Sequence, residues 1–420
     1  MTDLLNVDDV LARILSDMQP LSQETVDLSR ALGRVLAEDV QAAQDVPAFA
    51  SSAMDGYAVR ADDLAGASAE RPVRLAVIGD IPAGSQPDFT VGAGQAARIM
   101  TGAPMPAGAD TVVPVEDTSD RWTTDGAAPL ADAVDVLAAP ERGRNVRQPG
   151  ETIGAGERVL SRGTVLRPVD IGVIAALGRA SVPVYRRPRV AILSTGTELV
   201  PPGEPLAPGQ IYNSNSFMLA ALVTEAGGEP IVVPTALDTV EDVRRRFDEA
   251  LSQAPDVLIS SAGVSVGTHD VVRTVIDALG HIDLWRVNIR PGKPLAYGQV
   301  GGVPFFGLPG NPVSAMVTFE VFVRPSLARL SGAQASDEAT VSATLADDVT
   351  SDGRRSYVRV RLSHDGEGWW AHPVGMQSSA ELMALARADG LLILPEGVRR
   401  APAGSRYPVR LLRTPSAGGG

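Results

Sequence analysis

From Arg187 onward this 420-residue chain settles into a strand–loop–helix rhythm that leaves few folds open. Short apolar runs predict buried strands at Arg189–Leu193, Pro230–Pro234, Asp256–Ser260 and Val303–Leu308. Between and after them the spacing predicts helices over Ser216–Ala226, Val240–Ser252 and Asp270–Leu279, and one long helix over Pro312–Leu330. Parallel strands need crossovers of a dozen or more residues, usually helices, so the alternation predicts a parallel sheet with helices on both faces. The expected class is therefore α/β plus β, with a central doubly wound parallel sheet and a C-terminal β domain.

The rest of the chain has other periods. Val7–Met18 has helical spacing and is closed by Pro20, and a second amphipathic segment runs from roughly Glu24 to Ala37. From Val46 to about Pro140 the pattern is mostly β, with runs at Arg74–Gly79, Gln95–Met100 and Thr111–Val115 between turn clusters. An apolar helix is predicted at Val169–Leu177, ended by Gly178. After Ser331 strands return at Ser356–Leu362 and Leu391–Leu394.

Composition removes several function classes. With 37 basic and 50 acidic residues the formal net charge is −13, whereas neutralising nucleic-acid phosphates needs a basic face. The absence of cysteine excludes thiolate catalysis, iron–sulfur clusters and cysteine-ligated zinc. The start lacks the basic region of a secretory signal and no run of about 18 apolar residues occurs, so a cytoplasmic protein with no membrane partner is expected. The four histidines lack metal-ligand spacing, and neither a Ser/His/Asp arrangement nor a Walker-type phosphate loop is visible. Lys293 is the only lysine of the chain.

Ligands of open α/β sheets bind beyond the carboxyl ends of the strands, so the loops there carry the functional reading. They are Ser194-Thr195-Gly196-Thr197-Glu198, the Asp238-Thr239 pair, the Gly-rich stretch with Gly263, Ser265, Gly267 and Asp270, and Pro309-Gly310-Asn311-Pro312 leading to Ser314. Arg290-Pro291-Gly292-Lys293-Pro294 lies between the last two strands. Glycines and small hydroxyl residues let backbone N–H groups approach an anion, and helices starting directly afterwards add their positive ends. Asn311 before Pro312 reads as an N-cap. Glu198, Asp238 and Asp270 would repel a phosphate unless a cation lies between, and oxygen ligands of this kind suit Mg²⁺. Arg290 and Lys293 would neutralise the remaining ligand charge. Each loop taken singly is also what an ordinary strand-to-helix turn looks like, and carboxylates at helix starts often serve only the helix dipole. Their coincidence on one edge of one sheet favours a phosphate-plus-magnesium site.

Further motifs join these in order along the chain: Ser52-Ala53-Met54-Asp55-Gly56-Tyr57-Ala58, Met100-Thr101-Gly102-Ala103-Pro104, Leu193–Leu199, Gly263–Gly267, Pro291–Pro294 and Gly307–Ser314. Together they resemble the MoeA-type molybdopterin molybdenumtransferases, the molybdenum insertases that include the gephyrin E-domain, from about Val7 to about Leu412. The resemblance implies an elongated, four-domain homodimeric subunit. Residues 1–46 and 141–180 would form a linker and dimerisation domain, 47–140 a mostly β domain, 181–330 the molybdopterin-binding domain, 331–412 the C-terminal β domain and 413–420 a disordered tail. It implies insertion of molybdate into adenylylated molybdopterin with Mg²⁺-dependent release of AMP, between a molybdopterin adenylyltransferase upstream and molybdoenzymes downstream. On that likeness Glu198, Asp238, Asp270 and Lys293 lie at the catalytic and metal site, and Asp55 and Thr101 enter it from the partner subunit. Ser194, Thr195, Gly196, Gly263, Ser265, Gly267, Arg290, Pro309, Gly310, Asn311, Pro312 and Ser314 would contact pterin, phosphate or nucleotide. Arg359 and Ser378 resemble residues proposed to hold molybdate.

The chain departs from the family pattern at Gln148-Pro149-Gly150-Glu151-Thr152, at Arg290 in place of a lysine, and at Ala262 in place of a glycine. Two alternatives stand beside the insertase: a molybdopterin adenylyltransferase, which would not need the second and fourth modules, and a non-catalytic molybdopterin-binding scaffold, which would tolerate loss of its carboxylates.

Overall fold

The computed structural model describes residues 4–120, 129–261, 271–334 and 340–415. Its chain divides into two compact units, one drawn from Met1–Glu38, Arg162–Arg167 and Ser181–Gly420, the other from Asp39–Ser161 and Pro168–Ala180.

The larger unit is built on a six-stranded sheet. Its order is Glu229–Val232, Arg189–Ser194, Val257–Ser261, Val303–Leu308, Pro294–Val300, Gly280–Arg286. The first four strands are parallel, as the alternation of elements predicts. Side chains of successive strand residues point to opposite faces, and the burial divides accordingly. Val190, Ile192, Val257, Ile259, Phe306 and Leu308 face one core with the Val7–Ser16, Ser214–Glu225 and Pro312–Thr318 helices. Ala191, Leu193, Leu258 and Phe305 face another, with the Val240–Ser252 and Val271–Leu279 helices. That split makes the sheet doubly wound and directs the carboxyl ends of all four parallel strands to one edge.

Two strands extend the sheet beyond the elements legible in the sequence. Gly280–Arg286 pairs antiparallel with Pro294–Val300, which pairs antiparallel with Val303–Leu308. Trp285, Tyr297 and Phe306 stack across them, with successive ring centroids 5.4 and 5.2 Å apart. The Arg290–Lys293 stretch thus connects two antiparallel strands.

Other expectations are corrected. Glu24–Ala37 is not one amphipathic helix. Gln23–Asp27 is a strand pairing antiparallel with Ser181–Tyr185, followed by a 3₁₀ turn at Leu28–Arg30. β-branched Thr25 and Val26 favour the strand, and Gly33, at φ +70°, breaks any longer helix. The predicted Pro312–Leu330 helix exists as a helical run with a π-helical segment, Phe319–Val323, between Pro312–Thr318 and Arg324–Leu330. Pro325 has no N–H to offer the Val321 carbonyl, and the Arg324 N–H goes to Phe319 instead.

The C-terminal strands Arg355–His364, Trp369–Pro373, Thr340–Leu345, Arg406–Leu411 and Gly390–Leu394 pair in that order. A further pairing of the first with the last closes them into a ring around Leu345, Val358, Val360, Leu392 and Val409. Ile289–Arg290 adds to this sheet beside Arg355–Ser356. The smaller unit contains a five-stranded sheet, Thr111–Pro114, Gly56–Val59, Gln95–Ile99, Val73–Ile81 and Ala133–Val136 in order, and the Pro168–Ala176 helix. No helix among the described residues is long and apolar enough to cross a membrane.

Candidate active site

The Arg189–Ser194 strand ends in a turn shaped by its glycine. Thr195 bridges Ala236, and the Gly196 N–H donates to the Ala236 carbonyl at 3.1 Å. A Cβ on Gly196 would stand 2.5 Å from Glu198 Oε2, so the missing side chain is what lets the Glu198 carboxylate fold over the turn. Asp238 Oδ2 accepts the Thr197 N–H at 3.1 Å and the Thr197 hydroxyl at 3.3 Å. Glu198 and Asp238 are therefore tied to the same turn. Ser194 is buried and its Oγ lies 2.8 Å from Ser216 Oγ, on the inner side of the turn.

Glu198 lines a cavity of about 670 Å³ together with Asn213, Asn215, Ser261, Pro294, Asn311 and Ala380. Two helix starts open onto it. Asn213 caps the Ser214–Glu225 helix by accepting the Ser216 N–H at 3.1 Å. Asn215 donates to Ser261 Oγ and to the Gly310 carbonyl, both at 2.7 Å, joining the Ser214 helix start to the ends of the Val257–Ser261 and Val303–Leu308 strands. Asn311 stands at the N-cap position of the second helix, as expected, but does not cap it with its side chain. Its Nδ2 donates to Ser379 Oγ at 3.0 Å, and the Ser379 carbonyl takes the Val313 N–H at 3.1 Å. Pro309, Gly310 and Pro312 line the cavity, and Ser314 is buried in the first helical turn. The aligned peptide dipoles at such helix starts favour an anion.

A second group of charges lies where the Arg290–Lys293 loop meets the C-terminal sheet. Gly292 has φ +108°, and a Cβ there would stand 2.6 Å from Thr318 Cγ2, so the loop packs hard against the helix after Asn311. Arg359, on the Arg355–His364 strand, is 1% exposed. Its Nη2 donates to the Ser378 carbonyl at 3.2 Å, and its buried Nε has no hydrogen-bond partner among the described residues. Burial holds this guanidinium below its ordinary value, nearby Glu381 opposes that effect, and the like charge of Arg290 adds to it. Among the described residues no carboxylate forms an ion pair with Arg359, Arg290 or Lys293. A buried cation with no carboxylate in direct contact is costly unless a ligand supplies the negative charge. The Ser378–Ala380 segment touches both places, since Ser378 accepts from Arg359 and Ala380 lines the cavity.

In the smaller unit Asp55 and Thr101 meet. Asp55 Oδ1 accepts the Thr101 N–H and the Thr101 hydroxyl, each at 2.7 Å. Gly56 follows because a Cβ there would fall 1.9 Å from the Val113 carbonyl oxygen. Gly263, Ser265, Gly267 and Asp270, like Ala262, lie outside the described residues. Among those described, no three His, Asp or Glu side chains come together as a metal cluster. Sequence analysis missed Asn213, Asn215 and Ser379. Asn213 before the Ser214 helix carries a capping signal that could have marked it, whereas Asn215 and Ser379 act through contacts 95 and 68 residues away in sequence.

Three family models match in succession: "MoeA N-terminal region (domain I and II)" over residues 5–178, "Probable molybdopterin binding domain" over 191–329, and "MoeA C-terminal region (domain IV)" over 342–412. Molybdopterin molybdenumtransferase 2 of Mycobacterium tuberculosis (strain ATCC 25618 / H37Rv) is 41% identical over 407 residues, 95% of this chain and 97% of that protein. Molybdopterin molybdenumtransferase of Bacillus subtilis (strain 168) is 36% identical, covering 97% and 94%. The crystal structure of the molybdopterin biosynthesis MoeA protein from Pyrococcus horikoshii OT3 superposes with a TM-score of 0.81 at 31% identity, covering 97% of this chain and all of that one. The strand-end loops, the doubly wound sheet and these likenesses along nearly the whole chain lead to one conclusion: it belongs to the MoeA family of molybdopterin molybdenumtransferases.

Proposed function

We propose that the chain inserts molybdate into adenylylated molybdopterin and releases AMP in a Mg²⁺-dependent reaction. The observation that carries this reading is the buried Arg359 guanidinium, which forms no ion pair among the described residues and lies in the fields of Glu381 and Arg290. Such a place is prepared for an oxyanion. Molybdate is a dianion and the adenylylated pterin is anionic. Like charges about 4 Å apart repel by roughly 4 kcal/mol per unit pair at the effective dielectric near a protein surface. Arg290, Lys293, Arg359 and Ser378 offset that repulsion on the oxyanion side. On the other side, the helix starts at Ser214 and Pro312 and the Pro309–Ser314 loop hold phosphate in the 670 Å³ cavity.

The donor set suits Mg²⁺. Glu198 and Asp238 are hard oxygen ligands tied to one turn, and Mg²⁺ commonly takes one or two protein carboxylates beside phosphate and water. Asp270 completes the proposed ligands. When bound, the ion would withdraw charge from the phosphoanhydride and make AMP a better leaving group. The protein's remaining contribution is to orient the two anions toward each other and keep them fixed. The reading includes a cytoplasmic homodimer, with Asp55 and Thr101 of a second copy acting on the same substrate, and molybdoenzymes as acceptors of the product.

Mixing the protein with adenylylated molybdopterin, molybdate and Mg²⁺ and following AMP by chromatography tests the proposal. AMP should appear only with molybdate present, and Glu198→Gln should slow its release at least about tenfold, a barrier change of about 1.4 kcal/mol. AMP release that is absent, or equally fast without molybdate, overturns the reading. Pyrophosphate formed from ATP and free molybdopterin would indicate an adenylyltransferase instead.

A further inference from the structure

The loop after the Trp369–Pro373 strand contains an interaction that the reaction above does not use. Gln377 has φ +57°, a left-handed conformation uncommon for a residue with a side chain. Its carboxamide reaches back to the strand that carries Arg359. Gln377 Oε1 accepts the Arg359 backbone N–H at 3.0 Å, and Nε2 donates to the carbonyls of Arg359 at 3.0 Å and Val374 at 2.8 Å. Taking the N–H and serving the C=O of one residue reproduces what a neighbouring strand does in an antiparallel pair. It happens just past the paired strands, whose pairing ends at Val360 opposite Pro373: the Val374 N–H still reaches the Arg359 carbonyl at 2.9 Å, and the Arg359 N–H goes to Gln377 instead of to a backbone carbonyl.

The same residue fixes the head of the arginine as well as its backbone. Ser378 follows Gln377 directly and offers its carbonyl to Arg359 Nη2 at 3.2 Å. Ser379 then receives Asn311 Nδ2 and the Val313 N–H at the cavity's second helix start. Glu381 steadies the loop by accepting the Met376 N–H at 2.9 Å beneath Gly375, where a Cβ would stand 2.5 Å from its carboxylate. The left-handed backbone at Gln377 therefore aims the acceptor for Arg359's guanidinium while its side chain clamps Arg359's main chain.

We infer that Gln377 is a positioning residue for the oxyanion: it sets Arg359 and the Ser378–Ala380 turn in register, and so determines molybdate affinity without touching molybdate. The inference rests on the reading of Arg359 as an oxyanion holder. It predicts a separation between folding and binding. Gln377→Gly accepts the left-handed backbone more readily than glutamine does but removes the clamp. Gln377→Met keeps the bulk and loses every hydrogen bond.

The experiment measures molybdate binding by calorimetry, AMP-release kinetics and melting temperature for full-length Gln377→Gly, Gln377→Met and Arg359→Ala. Both Gln377 variants should bind molybdate at least about tenfold more weakly, as loss of an outer-shell partner typically does, and raise the KM for molybdate in proportion. Their kcat at saturating molybdate and their affinity for AMP should hold, while loss of the three hydrogen bonds lowers both melting temperatures, less so in Gln377→Gly because glycine takes φ +57° more readily. Unaltered molybdate binding in Gln377→Gly, with binding abolished by Arg359→Ala, overturns the inference and leaves the proposed function standing. A parallel fall in melting temperature, kcat and AMP affinity also overturns it, because that is what a merely structural glutamine would give. Unaltered molybdate binding in Arg359→Ala refutes the proposed oxyanion site itself, and the inference with it.

Discussion

Replacing Arg359 by methionine should stabilise the ligand-free protein and remove its response to molybdate. Arg359 is 1% exposed, and among the described residues its guanidinium hydrogen-bonds Ser378 while Nε has no partner. A buried unsatisfied donor costs about 1–3 kcal/mol, and losing the Ser378 bond costs about 0.5–1.5 kcal/mol. Methionine fills a similar shape without polar atoms, so the net gain is about 1 kcal/mol, or roughly 2–4 °C in melting temperature for a domain of ordinary size. Molybdate at about a hundred times its dissociation constant should stabilise the unaltered protein by about 2.7 kcal/mol and the variant not at all. Scanning calorimetry with and without molybdate should therefore show the two proteins change order. The variant melts higher without the anion, and the unaltered protein melts higher with it. A variant that melts several degrees lower without molybdate, or keeps the molybdate-dependent rise, would refute the account of Arg359 as a cation awaiting an oxyanion.

Two further outcomes follow from the same geometry. Gly196→Ala should destabilise the larger unit by about 1–3 kcal/mol, because φ +152° suits glycine alone, and its Cβ, 2.5 Å from Glu198 Oε2, should displace that carboxylate and raise the Mg²⁺ concentration needed for half-maximal AMP release by about tenfold; an unchanged Mg²⁺ titration in the folded variant would mean that Glu198 does not hold the ion. In the smaller unit Arg98 grips Asp80 through Nε at 2.8 Å and Nη2 at 2.7 Å and holds its carboxyl below the ordinary aspartate value. A depressed folded value means that the stabilisation is present above the unfolded pKa, near pH 4, and is lost as pH falls through the folded one. Asp80→Asn should lower stability at pH 7 by about 1 kcal/mol and flatten its fall below pH 4, measured by acid unfolding; an identical acid limb would show that this pair does not carry the dependence.

Legibility varied with the range of the contacts. The four parallel strands and their helices follow from apolar runs whose two faces are both buried, a local signal. Gly280–Arg286 and Pro294–Val300 were missed because they mix glycine, proline and charges, and their strand state comes from pairing with each other and from the Trp285, Tyr297 and Phe306 stack. Glu24–Ala37 was misjudged for a related reason. Its helical periodicity was overridden by pairing with Ser181–Tyr185, which lies more than 150 residues away. Period and propensity are weak priors that long-range pairing routinely overturns.

The site divides along the same line. Residue order alone determined which loops follow the strands, and that glycines, small hydroxyl residues and carboxylates stand among them, because a parallel sheet sends all its carboxyl ends to one edge. Tertiary structure decided the rest. It spent the Asn311 side chain on Ser379 and not on its helix, buried Arg359 with no ion-paired carboxylate among the described residues, and brought Gln377 back onto Arg359's backbone. Those outcomes depend on which distant groups meet and whether water still reaches them. A linear chain carries no local signal for either, since burial and partner choice exist only once the separate elements have packed.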